Sequence, residues 1–587
     1  MRAFPISMIA MSTSGDAAVE GGIFIFQRWD EFFSKWSPDS FRPRLSNIAT
    51  LLSEIQVFSG MANEEPAWDK HVGVLRQELS DALITRQGAT LCTSFERHLL
   101  EDLSKCDSCE RAHLLARALS NRSFSEEFEE RLVEAARNIP TLLPKKKQEV
   151  DGLLGELATV CIQRGLSGTD FVGLPENKSD PCGYITALAD TLSRREQAFV
   201  ATVEVSGETS DIVAIARKVG LALSTAESVG ETSHGTNGAQ RCFVSKNVNA
   251  ATGEQALQIL IRELRTAFDL YTLYCNGEEI HLLDDGWVRV EGEARNSRVR
   301  ITADRDNSLH PRKAARSFTL SSLDILNSGR MPPSILNALE LHAQTFRTGD
   351  RRVRLLNTWS ALECLASSAL GSSIIFRVVT LTAPIVTWRR VEKIARYLAI
   401  SLHHWRASGH SEAVIGLPNA KQSGVPVEDV LISLCCPKNH PRIASLLSHV
   451  AENPLLKYRI FRAWEVLHDP KRLAAELRAT EKRVTWQLWR IYRARSLLVH
   501  SGIEVPMLGY LTDNLHYYFS TVLSRLLHGM SSNASWQLSD AALHWGNALG
   551  FVHAQLVKKS PSLTVADFVP TPTRETNSLL WPPAVEE

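Results

Sequence analysis

The feature that most limits how this chain can fold is a change in the spacing of its apolar residues. Through most of its length they recur every three or four positions, as in "HVGVLRQELSDALITR", "FEERLVEAARNI" and "EVDGLLGELATVCIQRGL". That is the period of a helix with one buried face. Within 196–310 the period shortens. "AFVATVEVSG" (198–207) and "RCFVSKNVNA" (241–250) alternate and are rich in β-branched residues, and "GWVRVEG" with "SRVRITAD" reads as a hairpin pair. One helix interrupts them, "TGEQALQILIRELRTAFDLYTLY", in which Thr252 and Gln255 have capping-box spacing and Leu257, Ile261, Leu264, Phe268 and Tyr271 form one apolar stripe.

The expected fold class is therefore mainly α, with a small α+β domain between two helical regions. A chain of 587 residues is too long for one hydrophobic core. The expected boundaries are a disordered leader at 1–25, an N-terminal helical region at 26–195, the α+β domain at 196–310, a helical domain at 335–530, and a C-terminal helix with a Pro-rich tail at 531–587. The Gly-, Ser- and Thr-rich stretch 230–240 is expected to be a loop.

Composition excludes some classes. Sixty-five basic and 65 acidic residues leave no bulk charge for coating nucleic acid or anionic membrane, so any such contact must be local. Ten scattered cysteines show no disulfide spacing, which points to a reduced, cytoplasmic protein. The opening "MRAFPISMIAMSTSG" has one arginine and a short apolar run broken by Pro5, weak for a signal peptide. The stretch 365–388 is long enough to span a bilayer, but Arg377 in mid-span costs roughly 2.5–3.5 kcal/mol, and a buried helix pair is expected instead of a membrane segment.

The common catalytic signatures are missing: there is no GxxxxGK[ST] loop, no GxSxG elbow and no HExxH helix. Cys106 and Cys109 with His113 have half the spacing of a zinc site and lack a second pair. Cys435, Cys436 and His440 lack a further ligand, and His403 with His404 reads as a polar helix end. No metal and no cofactor are expected.

One stretch remains, "RVTWQLWRIYRARSLLVHSG". Between 481 and 500, Lys482, Arg483, Arg490, Arg493 and Arg495 face the single carboxylate of Glu481. Ser501 and Gly502 read as a helix stop, which places His500 in the last turn. Arg495 and His500 lie about 140° apart on an ideal helix at about 100° per residue, whereas Ser496 and His500 share a face. A guanidinium and an imidazole at a helix end suit a phosphodiester, the first holding its oxygens and the second moving a proton. The plainer reading is a helix-ending histidine that meets the dipole while Arg495 forms a salt bridge. Trp486, Trp489 and Tyr492 suit either stacking on bases or packing in a core.

"RIYRARSLLVHSG" resembles the Arg-x(4–6)-His motif of the HEPN superfamily, and "LLNTWSALECLASS" (355–368) resembles the aromatic-x-Ala-Leu-Glu helix of its Apea-like branch. The resemblance covers 335–530, with an insertion at about 390–480. Ser496 stands where many relatives have Asn. The resemblance implies a metal-independent endoribonuclease whose two protomers pair their motif helices into one composite RNA-cleaving site. It implies catalytic roles for Arg495 and His500, with Ser496 orienting His500. Glu363 would hold Arg495, although a purely structural ion pair suits Glu363 equally. Arg490, Arg493 and Arg377 would bind RNA. The implied partners are RNA, a second copy of the chain, and an antitoxin or trigger protein, in antiphage defence or toxin-like growth arrest. A non-catalytic scaffold that binds RNA or a partner protein is the alternative.

Overall fold

The structure is a computed structural model. It describes residues 17–33, 37, 46–139, 146–164, 166, 181–193, 197–207, 209–224, 241–250, 252–274, 281–292, 297–300, 325–348, 350–407, 427–435, 440–503, 505, 507–532 and 536–558. The loop expected at 230–240, Cys436 and the Pro-rich tail lie outside them.

The N-terminal helices are α1 (Ala17–Phe33), α2 (Ile48–Glu64), α3 (Asp69–Thr85), α4 (Ser94–Lys105), α5 (Cys109–Ser120), α6 (Phe124–Arg137), α7 (Lys147–Gln163) and α8 (Pro181–Ser193). Strand β1 (Gln197–Ser206), α9 (Thr209–Lys218), β2 (Ala222–Ser224), β3 (Arg241–Ala250), α10 (Gly253–Tyr274), β4 (His281–Val290) and β5 (Ser297–Arg300) follow. Helices then return as α11 (Pro333–Thr345), α12 (Arg351–Leu365), α13 (Ile374–Ala407), α14 (Val427–Cys435), α15 (His440–His449), α16 (Pro454–Leu467), α17 (Pro470–Ser501), α18 (Leu508–Ser532) and α19 (Leu538–Lys558).

The chain divides into two compact units, one of residues 1–159, 177–185 and 311–587, the other of 160–176 and 186–310. The smaller unit holds the antiparallel sheet, in the order β2-β3-β1-β4-β5. Residue alternation decides its faces: Phe199, Ala201, Val203 and Val205 of β1 pack with Val244 and Val248 of β3 and with Leu257, Ile261, Leu264 and Phe268 of α10. Thr252 caps α10 by accepting from the Gln255 N–H at 3.2 Å. The Gln255 side-chain amide also donates to the Arg164 carbonyl at 3.0 Å. The short strand β2 and helix α9 were not foreseen.

In the larger unit, helices from both ends of the chain share one body, so residues 26–159 and 335–530 are not separate domains, and residues 160–176 and 186–195 of the expected N-terminal region fall in the smaller unit. The leader also ends earlier than expected: Phe24, Ile25 and Trp29 of α1 are buried, and Phe24 packs edge-on to Tyr458 of α16 at 5.3 Å. Arg28 of α1 joins Asp151 of α7 at 2.5 Å, and Arg459 of α16 joins Glu31 of α1 at 2.5 Å. The proposed insertion boundaries at 390 and 480 fall inside α13 and α17. Residues between them form, with the second half of α13 and part of α19, a core that includes Leu398, Trp405, Leu431, Ile460, Leu473 and Leu556. The apolar stretch 365–388 is broken into the end of α12 and the start of α13, and among the described residues no helix is long and apolar enough to cross a membrane.

Candidate functional site

Helix α17 carries the motif. Asp469 caps its start by accepting from the Lys471 N–H at 2.9 Å, and Pro470 stands where no intrahelical donor is needed. Gly502 ends it in the left-handed conformation at φ 65°, and the Ile503 N–H reaches back to the Leu497 carbonyl at 3.3 Å.

Arg490 and Arg493 occupy one face of α17 and are buried. Arg490 Nε meets Glu54 Oε1 of α2 at 2.7 Å and its Nη2 meets Glu78 Oε2 of α3 at 2.9 Å; Arg493 Nη2 meets Glu54 Oε2 at 2.9 Å. Glu78 also accepts from Ser46 Oγ at 2.5 Å and is paired with Arg86. Burial opposes the Glu78 charge, yet Arg490, Arg86 and the Ser46 hydroxyl outweigh it and hold the carboxyl below its usual range. Two of the three arginines expected to bind RNA thus clamp α17 to the N-terminal helices. Their acidic partners lie more than 400 residues away in sequence, beyond the reach of any local charge count.

The aromatics next to them are packed rather than offered. Trp486 and Trp489 are buried. Phe376 of α13 and His71 of α3 lie edge-on to Trp489 at 5.6 and 5.1 Å, and His71 stacks on Tyr492 at 5.6 Å. Burial, then the Arg493 charge, push the His71 imidazole down to about 4. Stacking of Trp486 and Trp489 on RNA bases is thereby replaced by core packing.

The two motif helices do meet: Trp359 of the "WSALE" stretch lies 5.5 Å from Tyr492. Helix α12 runs antiparallel to α17, since Arg351 at its start lies beside Gly509, just past the end of α17. Glu363 is therefore carried past Tyr492, away from Arg495. It accepts from the Trp359 indole N–H and forms no ion pair with Arg495, which corrects the role expected for it. Arg377 donates from Nη1 to the Ser367 carbonyl at 3.1 Å, across the α12–α13 connection.

Arg495 differs from its neighbours: it is half-buried, and among the described residues it has no ion pair or hydrogen-bond partner. His500 is exposed and equally unpartnered, and Ser496 is buried without a hydrogen bond to it. Val499 and Ile503, 49% and 55% exposed, flank His500 with aliphatic surface. At the neighbouring starts of α12 and α18, Arg351 and Arg352 are exposed, and Arg352 pairs with Asp350 at 2.9 Å. Deeper along α18, His342 Nε2 and His516 Nδ1 are 2.9 Å apart.

The weaker motifs do not assemble. His113 Nδ1 faces the Gln56 carbonyl at 3.2 Å, and Cys106 Sγ accepts from Arg76 at 3.4 Å. Among the described residues no group of three or more His, Cys, Asp or Glu side chains is placed to hold a metal. Sequence reasoning missed Glu54, Glu78 and His71, and nothing in their local sequence marks them out. No family model, no curated protein and no solved structure matches this chain.

Proposed function

We propose that the chain is a metal-independent HEPN-type endoribonuclease whose composite site is formed when two copies bring their α17 ends together. The observation that carries this reading is the contrast along α17. Arg490 and Arg493 are consumed by Glu54 and Glu78, whereas Arg495 and His500 carry no partner among the described residues and stand at the end of the helix. In this reading Arg495 binds the scissile phosphate and offsets charge developing on its oxygens. His500 moves a proton as the ribose 2′-hydroxyl attacks phosphorus and the 5′-oxygen leaves, forming a cyclic phosphate and a free 5′-hydroxyl. The helix geometry separates the two side chains on one copy, and the exposed Val499 and Ile503 provide the apolar surface on which a second copy pairs. The N-terminal helices and the α+β unit then restrain or trigger the site, in antiphage defence or growth arrest.

RNA cleavage in EDTA by the full-length chain tests this. Arg495→Ala and His500→Ala are each expected to lower the rate on the order of 10²–10⁴-fold. Stability should hold within about 0.5 kcal/mol, because neither side chain braces the fold. Equal cleavage by all three proteins rejects the proposal. A second reading, a scaffold that binds RNA or a partner without cutting, draws support from the withdrawal of Arg490, Arg493, Trp486 and Trp489 from the surface. It is favoured if RNA is bound and left intact.

A further inference from the structure

The last helix, α19, has two faces of opposite use. Trp545, Leu549 and Leu556 are buried and hold it to the body: Trp545 lies 6.4 Å from Trp388 of α13, and Leu556 joins the core of Leu398 and Ile460. About 130° round the helix, at about 100° per residue, stand Leu543, Gly550, Ala554 and Val557. Leu543, Phe551 and Val557 are 46%, 64% and 50% exposed, and Gly550 and Ala554 are exposed with them. Among the described residues no aromatic ring lies against Phe551, and a Cβ at Gly546 or Gly550 would meet no atom within 4 Å. Three large apolar side chains on one solvent-facing side of a helix form a patch rather than scattered exposure.

This face reads alike in both directions from Gly550. Leu543 and Val557 lie seven positions before and after it, and Gly546 and Ala554 lie four before and four after. A second copy laid antiparallel, with the two-fold axis at Gly550, sets large against large at both ends and small against small at the centre, where the backbones come closest. The charges obey the same symmetry. Asp540 in the first turn and Lys558 in the last are exposed at one azimuth, since the 18 positions between them make five full turns. A two-fold axis perpendicular to the helix keeps that flank on the same side in the partner. At about 1.5 Å per residue, Asp540 falls about 15 Å from the axis and the partner's Lys558 about 12 Å from it in the same direction. Opposite charges thus meet at both ends, whereas parallel pairing in register sets Asp540 against Asp540. Phe551 lies on the same flank, one residue from the axis, so the two copies of its ring meet at the centre. Asp540 also accepts from the Gln537 N–H at 3.0 Å, while Lys558 has no ion-pair partner among the described residues.

We infer that α19 is an antiparallel docking face for a second copy of this chain, with its two-fold axis at Gly550. The inference does not depend on the nuclease reading, whose pairing surface is the end of α17, and a chain that cuts no RNA would still pair through α19.

Light scattering and oxidative crosslinking of the full chain test the assignment. The wild type is expected as a dimer or a higher even oligomer, its mass halved in Phe551→Asp and unchanged in Leu114→Asp on the exposed surface of α5. Lys558→Asp should weaken association about tenfold, since two exposed ion pairs turn repulsive together, and adding Asp540→Lys should restore it. Gly550→Cys should form a disulfide-linked dimer on oxidation, and Leu114→Cys should not. Circular dichroism confirms that these surface variants remain folded. A monomeric wild type overturns the assignment, and a lowered Tm of Phe551→Asp in that monomer gives the face to a segment of its own chain. An oligomer whose mass Phe551→Asp leaves unchanged overturns it as well, as does a Gly550→Cys chain that crosslinks no more than Leu114→Cys.

Discussion

At the scale of single residues, the same side-chain type serves opposite ends on one helix. Arg490 and Arg493 are buried against Glu54 and Glu78, and Arg495, two positions on, has no carboxylate partner among the described residues. Removing one member of a buried pair strands the other, which typically costs about 3–5 kcal/mol. Glu78→Gln is therefore expected to lower the unfolding free energy by about that much in urea titrations, whereas Arg495→Ala should leave it nearly unchanged. Comparable losses in the two variants would mean that Arg495 is also a bracing residue. His71 makes stability depend on pH. Its folded pKa of about 4 lies below the value of about 6.5 expected when unfolded. The unfolded chain then binds more protons between those values, so stability is fully present above pH 6.5 and is lost as pH falls toward 4. His71 alone contributes about 2 kcal/mol of that loss between pH 7 and pH 5. Burial pushes His342 down to about 4 as well and adds to the loss with the same sign. Urea titrations at the two pH values should show a shallower pH dependence for His71→Gln; an unchanged dependence would remove His71 as the cause. The place of Arg495 and His500 in the last turns of one helix was legible in sequence because helix period and a glycine stop are local properties. The true partners of Glu363 and Arg490 were not, because charge pairing is a matter of distance in space.

At the scale of elements, helix ends were the most readable feature. The stop at Gly502 was expected from Ser501-Gly502, and the structure places Gly502 in the left-handed region at φ 65° with open space where a Cβ would stand. Gly502→Ala should therefore cost about 1 kcal/mol through backbone conformation alone, with no steric clash to add to it. Differential scanning calorimetry would register this as a lowered Tm, and an unchanged Tm would show that the last turn already frays. Strands β1 and β3 coincide with the alternating stretches, since alternation requires only that one face be buried. The continuity of α13 was not readable. Pro384 removes a backbone donor and normally argues for a helix end. Packing of α13 along α17, α18 and α19 carries the helix through it.

At the scale of the whole molecule, the larger unit takes helices from residues 1–159 and from 311–587. A fragment of residues 335–587 contains the entire stretch that resembles a HEPN domain, yet it lacks Glu54, Glu78 and His71. It is expected to be poorly soluble or to unfold at least 10 °C below the full chain, since ΔΔG of 1 kcal/mol moves Tm by roughly 2–4 °C for a body of this size and several kcal/mol of ion pairing are removed. A fragment as stable as the intact chain would show that the N-terminal helices are an accessory. By itself the sequence determined the helical class, the position of the sheet, the caps and the place of His500 in a last turn, because each depends on residues a few positions apart. Only the tertiary structure decided which arginines of α17 are bound by carboxylates of the N-terminal helices. It also decided that both ends of the chain share one body and that Glu392 gathers three guanidinium groups. Each of those outcomes turns on a contact between residues more than 100 positions apart, such as Arg525 with Glu392 or Arg493 with Glu54, and packing in a common body brings them within hydrogen-bonding distance.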